Sequence, residues 1–139
     1  MNTINKLTDK ILDLRCYVAE NTALEMTINS NTYPLQIEFY DAKIDIFQEE
    51  VAEVAPSLCF VFYDEMRIIT AQGFKINETV FNKIKNLSKE INRLYLHAFR
   101  EEIDKVIVPM WETTFGAQVA VYNKRYFDTL MNQTGIKWE

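Results

Sequence analysis

Two stretches of this chain repeat apolar residues at alternating steps of three and four, and they flank a middle rich in strand-forming residues. The first stretch consists of Ile4, Leu7, Ile11, Leu14 and Val18. The second consists of Val80, Ile84, Leu87, Ile91, Leu94 and Ala98. Because residues three and four apart lie on one side of an α-helix, this spacing predicts two amphipathic helices. Each carries an apolar seam that a sheet, the other helix or another chain must cover.

The length and composition of the chain predict one folded domain over residues 1–139. Hydrophobic residues make up 48% of the chain and aromatic residues 13%, which is enough for a core. No segment approaches the roughly 18 consecutive apolar residues of a membrane span, and residues 1–6 do not begin a signal peptide. We therefore expect an unprocessed, cytoplasmic protein without membrane attachment. Cys16 and Cys59 lie in predicted apolar segments and are expected to be buried free thiols.

The first part of the middle predicts a β-hairpin followed by an ambiguous segment. Apolar residues alternate over residues 23–29 and again over 33–39, with a turn candidate at Ser30–Asn31. The next segment, Ile44–Ala55, fits a further strand, but its spacing also fits a short helix that ends before Pro56. The strand is the preferred interpretation, and the helix stays open.

A second hairpin is predicted from a continuous apolar run. Residues 58–63 are apolar or aromatic, Asp64 and Glu65 break the run, and residues 66–71 follow as a second strand. A run without polar alternation is typical of a strand that is covered on both faces. We therefore place the first strand of this hairpin at the centre of the sheet.

The second apolar seam belongs to an unusually long helix. Asn77 is a suitable N-cap, and the apolar pattern continues until Pro109 ends it. A helix of about 30 residues is roughly 45 Å long and exceeds the diameter of a compact domain of this size, so it should bend, break or project. A final helix is predicted over residues 123–134, with Asn123 as its cap and Gly135 as its stop.

Together these elements predict an α+β fold. It contains an N-terminal helix, an antiparallel sheet of four or five strands, a long amphipathic helix and a shorter C-terminal helix. Helices cover one face of the sheet, and the C-terminal tail or a second chain covers the other. The length and the apolar surface of the long helix favour a homodimer over a monomer.

The formal charge of −5 is unevenly distributed and defines two candidate binding surfaces. The acidic segment contains Glu38, Asp41, Asp45, Glu49, Glu50 and Glu53. The predicted long helix carries a basic face formed by Lys85, Lys89, Arg93 and Arg100. Like charges at this spacing repel one another slightly, so a basic face suggests contact with phosphates or with an acidic protein surface. The ordinary alternative for each segment is a solvated surface.

The C-terminal part of the chain is rich in aromatic residues. The candidates for an interface are Trp111, Phe115, Tyr122, Tyr126 and Trp138. Tryptophan and tyrosine are enriched at protein interfaces, although core packing explains such residues as well.

Sequence motifs of catalysis are lacking. Three glycines cannot build a phosphate-binding loop, and His97 is the only histidine available for a catalytic triad. His97 and Glu101 lie one helical turn apart, yet two ligands do not make a metal site. Asp64 and Glu65 could contribute to a nuclease-type metal site, but acidic residues are also common in turns. We therefore expect no cofactor and no bound metal.

These observations favour a non-catalytic protein that binds another protein. Its size and charge suit a small inhibitor or immunity-type protein from a phage or mobile element. The second hypothesis is a nucleic-acid-binding protein that uses the basic face of the long helix. The third is a metal-dependent nuclease or another hydrolase. Whether the protein is an enzyme is uncertain from the sequence, and the balance favours a binding protein.

Overall fold

The computed structural model describes residues 3–30, 34–42, 55–62, 65–106 and 111–134, without the side chains of 103–106, 111–120 and 133–134. The elements follow one another as α1 (Thr3–Asn21), β1 (Leu24–Asn29), β2 (Gln36–Asp41), β3 (Leu58–Val61), β4 (Arg67–Thr70), α2 (Glu78–Val106) and α3 (Trp111–Thr134). The predicted α+β fold is confirmed.

The four described strands form one antiparallel sheet in the order β1-β2-β3-β4. Ile28 pairs with Ile37 in the first hairpin, and Phe60 pairs with Ile68 in the second. Both predicted hairpins are therefore confirmed, and β3 lies inside the sheet as expected. Residues 43–54 lie outside the described residues, so the choice between strand and helix for Ile44–Ala55 stays a prediction.

The two apolar seams meet above one face of the sheet. Leu7, Ile11, Leu14 and Val18 on α1 are at most 1% exposed, and Ile91 on α2 is fully buried. Burying a side chain of this size contributes roughly 1.5–3 kcal/mol, so the two seams supply much of the hydrophobic stabilisation.

The relative direction of α1 and α2 follows from which of their ends lie close together. Asn21 at the end of α1 lies near Asn77 before the start of α2. Ile4 near the start of α1 lies close to Glu102 near the end of α2. α1 and α2 therefore pack in opposite directions along their length.

The long helix begins and ends close to where the sequence predicts. The backbone N–H of Val80 donates to Oδ1 of Asn77 at 3.1 Å, which is the expected N-cap. α2 continues for 29 residues, about 44 Å at 1.5 Å per residue.

The last helix starts earlier than predicted, and this changes the role of Asn123. α3 runs from Trp111 to Thr134, so Asn123 lies in its middle and the predicted N-cap is wrong. The helix passes through Gly116, since one glycine in a helix costs only about 1 kcal/mol relative to alanine. α3 is still shorter than α2, with 24 residues against 29.

The side chain of Asn123 is fully buried and joins three parts of the fold. Its Nδ2 donates to the carbonyl oxygens of Ser30 and Pro34, each at 2.9 Å. Its Oδ1 accepts a hydrogen bond from the Tyr95 hydroxyl at 2.7 Å. One amide therefore ties α3 to α2 and to both sides of the β1–β2 connection.

The two cysteines differ in their environment. Both are free thiols, as expected, and Cys59 is buried in β3. Cys16 is exposed, so the prediction of its burial is wrong. It lies two residues after Leu14 and two before Val18, and a shift of two residues turns a helix by about 200°, away from the seam.

Candidate functional site

Four cationic side chains lie on α2, on the side turned away from its buried seam. We define the cationic face as Lys85, Lys89, Arg93 and Arg100. Lys85 is half-buried, and the other three are exposed. Because Ile84 and Ile91 on the opposite side are fully buried, the core holds the helix and fixes the direction in which these charges point.

Arg93 is held by a carboxylate on its own helix. Its Nε donates to Oε2 of Glu90 at 3.0 Å, and its Nη2 donates to Oε1 of the same group. These two hydrogen bonds lower the pKa of Glu90, because they stabilise its charged form, and raise the pKa of Arg93. The pair orients the guanidinium and partly neutralises its charge.

Lys85 contacts an aromatic ring instead of a carboxylate. Its ammonium lies 5.8 Å from the ring centroid of Phe81, a cation–π distance. Phe81 in turn contacts Phe60 of β3, with ring centroids 6.1 Å apart. Lys85 therefore lies at the edge of the core, where its aliphatic stem has an apolar neighbour.

Lys89 and Arg100 complete the face. Neither of them forms an ion pair with a described side chain, and the same holds for Lys85. Because Lys89 and Arg100 are exposed and Lys85 is half-buried, these two cations are the more accessible to an external anionic group.

A second carboxylate borders the cationic face at its C-terminal end. Nε2 of His97 lies 3.4 Å from Oε1 of Glu101, an ion pair when the histidine is protonated. Among the described residues, no three His, Cys, Asp or Glu side chains converge on a point where a metal ion could bind. Asp64 of the nuclease hypothesis lies outside the described residues, and Glu65 is exposed.

Glu38, the first residue of the acidic segment, lies in the interior. It is 7% exposed, and its carboxylate accepts hydrogen bonds from Nε2 of Gln36 at 2.7 Å and from the Tyr40 hydroxyl at 3.0 Å. Glu38 is therefore hydrogen-bonded within its own strand and is not presented at the surface.

The rest of the acidic segment is only partly described. Asp41 is half-buried at the end of β2. The remaining acidic residues lie outside the described part of the chain: Asp45, Glu49, Glu50 and Glu53. A binding role for this segment stays a prediction.

The buried carboxylate changes the acidity of two neighbours. Burial and the hydrogen bond to Glu38 raise the pKa of Tyr40 to about 12. Burial and the charge of Glu38, which lies opposite Cys59 in the register, raise the pKa of that thiol to about 11. Cys59 is therefore protonated at neutral pH and is a poor nucleophile.

The described aromatic candidates for an interface pack against α2. Tyr122 and Tyr126 on α3 are half-buried, and their ring centroids lie 6.0 and 5.7 Å from that of Phe99. Tyr126 also lies 5.9 Å from Tyr95. These contacts join α3 to α2. The side chains of Trp111, Phe115 and Trp138 are outside the described part of the structure.

Two cavities lie at opposite ends of the α1–α2 pair. One of about 320 Å³ is bordered by Asn21, Asp41, Ser57, Lys75 and Asn77 among others. The other, of about 340 Å³, is bordered by Ile4, Glu102, Tyr122, Arg125 and Tyr126 among others. Each contains one acidic and one basic side chain, and neither contains histidine or cysteine. We therefore place the candidate site on the cationic face.

The sequence pattern predicts that the residues of the cationic face share one side of α2, but it does not predict three other features of the structure. The buried Glu38 cluster had a signal, because Gln36, Glu38 and Tyr40 alternate and so share one face of β2. The burial of Asn123 had no sequence signal, since an asparagine that caps a helix and one that is buried inside the fold cannot be distinguished in a sequence. The exposure of Ile68 and Ile69 in β4 also had no sequence signal, because isoleucine in a strand usually indicates a core position.

Comparison of the chain with known proteins gives no match to a protein-family model, to a curated protein or to a solved structure. No helix in the described part of the chain combines the length and the apolar character needed to cross a membrane. Function is therefore inferred from the surfaces.

Proposed function

We propose that this protein acts by binding an acidic surface of another protein through the cationic face of α2. The observation that carries the proposal is the arrangement of Lys85, Lys89, Arg93 and Arg100 on one side of a helix whose other side is buried. Because the core holds α2 in place, the charges are positioned before a partner arrives, and binding costs less conformational entropy.

The carboxylates beside this face favour a protein partner over nucleic acid. Glu90 pairs with Arg93, and Glu101 lies beside His97. A phosphate backbone presents only negative charge, so it would be repelled by both carboxylates, whereas a protein surface can place a cation or a hydrogen-bond donor opposite them. Mixed charge of this kind gives specificity for a complementary surface.

A protein that binds through this face would act by covering part of its partner. We therefore propose the role of a small inhibitor or immunity-type protein, of the kind that phages and mobile elements use. The cationic face would cover an acidic region that the partner needs for its own activity.

Nucleic acid is the second candidate partner, and one observation favours it. Lys85, Lys89 and Arg93 recur every four residues along α2, which makes a straight cationic track about 12 Å long. Such a track can follow a phosphate backbone, and binding would then fall steeply with added salt.

A pair of double variants with equal charge tests the proposal. Lys89→Glu/Arg100→Glu reverses the two exposed cations of the face that form no ion pair with a described side chain. Lys83→Glu/Lys6→Glu reverses two exposed lysines outside it and changes the net charge equally. The probes are a labelled polyglutamate peptide and a labelled 20-base-pair DNA duplex, each titrated in low salt and followed by fluorescence anisotropy.

We expect the wild type and the control to bind polyglutamate, and the face variant to bind it at least tenfold more weakly, about 1.4 kcal/mol. Binding of the duplex with little binding of polyglutamate would replace the protein partner with nucleic acid. Equal weakening by the two double variants, or no binding of either probe, would contradict a role for this face.

A further inference from the structure

Strand β4 forms an edge of the described sheet and is exposed along its whole length. It is hydrogen-bonded to β3 and has no other strand beside it in the described part of the chain. Ile68 is 42% exposed on one face of the strand, and Ile69 is 54% exposed on the other. Edge strands are usually guarded by charges, proline or bulges, and β4 carries only Arg67.

The backbone groups that face outward from β4 can be identified from one hydrogen bond. The N–H of Ala71 donates to the carbonyl of Ser57, at the start of β3, at 3.0 Å. Because backbone groups alternate in direction along an antiparallel strand, those of Ile69 also point toward β3. The N–H and C=O groups of Ile68 and Thr70 therefore point away from the sheet.

We propose that β4 is a docking edge for β4 of a second copy of this chain. Two copies related by a two-fold axis perpendicular to the sheet run antiparallel, and residues that oppose each other lie on the same face. With the axis at Ile69, Ile68 of each copy opposes Thr70 of the other. The N–H and C=O groups that point away from one sheet then face those that point away from the other. Four backbone hydrogen bonds then close the pair and extend the sheet from four to eight strands.

The side chains in this register complement one another. Ile69 opposes Ile69 of the second copy at a narrow, non-hydrogen-bonded position, where side chains approach most closely. Ile68 meets Thr70, so both central contacts join β-branched residues. Arg67 opposes Ala71 of the second copy. An axis at Ile68 would instead bring the two Arg67 side chains into diagonal contact, so the axis at Ile69 is preferred.

The second copy is the occupant because the edge is complementary to itself. The strand of a second copy supplies β-branched residues at the three central positions and an alanine opposite Arg67, so it brings no like charge to this edge. Four ordered residues on each side make a small interface, below the roughly 1,200 Å² of standard complexes, so we expect a dissociation constant on the order of 10–100 µM.

Sedimentation equilibrium between micromolar and millimolar protein tests the proposal, with a matched pair of variants. Ile69→Lys places a charge on the axis and should leave a monomer at all concentrations. Val121→Lys changes an equally exposed residue on α3, also 54% exposed, and should associate like the wild type. A wild type that stays monomeric, or a dimer that survives Ile69→Lys, would overturn the proposal.

Disulfide trapping tests the register without relying on a charged variant. In a Cys16→Ser/Cys59→Ala background, which removes the thiol that lies opposite position 69 in β3, Ile69→Cys should give a covalent dimer under mild oxidation, because opposing side chains at this position approach to about 4.5–5.5 Å between Cβ atoms. Arg67→Cys should not, since Arg67 opposes Ala71. Equal crosslinking at the two positions, or none at position 69, would contradict this register.

Discussion

The two helices that pack against α2 are held by different physical means. α1 contributes an aliphatic seam, in which Leu7, Ile11 and Leu14 are buried and make apolar contacts. α3 contributes aromatic rings and one amide. Phe127 packs edge-on against Tyr95, and Oδ1 of Asn123 accepts a hydrogen bond from the Tyr95 hydroxyl. The first contact tolerates changes of shape, whereas the second requires one geometry.

The difference shows what each contact supplies. Apolar packing is non-directional, so the α1–α2 contact stabilises the fold roughly in proportion to the area that it buries. A buried amide costs free energy unless its hydrogen bonds are made, so the Asn123 contact favours a single arrangement of α2, α3 and the β1–β2 connection.

Replacing Asn123 with leucine should break the polar contact and give the largest effect. The change leaves the carbonyls of Ser30 and Pro34 without this donor in the interior, whereas the Tyr95 hydroxyl keeps the backbone carbonyl of residue 123, 3.2 Å away. Since each of these two buried carbonyls loses a hydrogen bond at a cost of roughly 1–3 kcal/mol, we expect the free energy of unfolding to fall by about 4 kcal/mol. Urea denaturation followed by circular dichroism measures the change.

Two further variants show whether hydrogen bonding is the cause. Asn132→Leu makes the same change at an exposed position of α3 and should alter stability by less than about 0.5 kcal/mol. Tyr95→Phe removes one partner and should cost about 1 kcal/mol. If Asn123→Leu were no more harmful than Asn132→Leu, the amide would not hold the helices together.

Shortening a side chain in the aliphatic seam should give the next largest effect. Ile11 is fully buried, so Ile11→Ala should lower the free energy of unfolding by about 3 kcal/mol and Ile11→Val by about 1 kcal/mol. Leu12, its neighbour in sequence, is 41% exposed, and Leu12→Ala should cost well under 1 kcal/mol by the same reasoning. Equal losses at the two positions would show that α1 is not packed through this seam.

Alkaline pH should give the smallest effect and probes a third contact, on the other face of the sheet. The pKa of Tyr40 is raised to about 12 and that of Cys59 to about 11, so the folded protein keeps protons that the unfolded chain releases. The resulting stabilisation is complete below the unfolded pKa values of 10.0 and 9.0 and is lost as pH rises through the folded ones.

The variant Tyr40→Phe separates the two groups. We expect its free energy of unfolding to fall less between pH 9 and pH 11.5 than that of the wild type, since Tyr40 then no longer contributes to this pH dependence. An absorbance titration at 295 nm should show the loss of one tyrosine ionisation near pH 12. Identical slopes for the two proteins would show that folding does not raise the pKa of Tyr40.

The sequence predicted most of the fold and part of the candidate site. Apolar spacing located α1 and α2, and the cap at Asn77 placed the start of α2, because these signals act between residues close in sequence. The cationic face could be identified for the same reason, since charges spaced by four residues share one side of a helix. Its pairing of Arg93 with Glu90 was equally local, although only the structure shows it.

Local patterns in the chain predict the order of the described helices and strands and the buried sides of α1 and α2. Periodicity and helix caps depend on residues that are close in sequence, so they can be recognised without knowledge of the rest of the chain. The burial of Asn123 and of Glu38 and the exposure of β4 follow instead from how distant parts of the chain pack together. Each of these depends on what lies across from the residue, and the Asn123 amide meets carbonyl groups about 90 residues away in the chain.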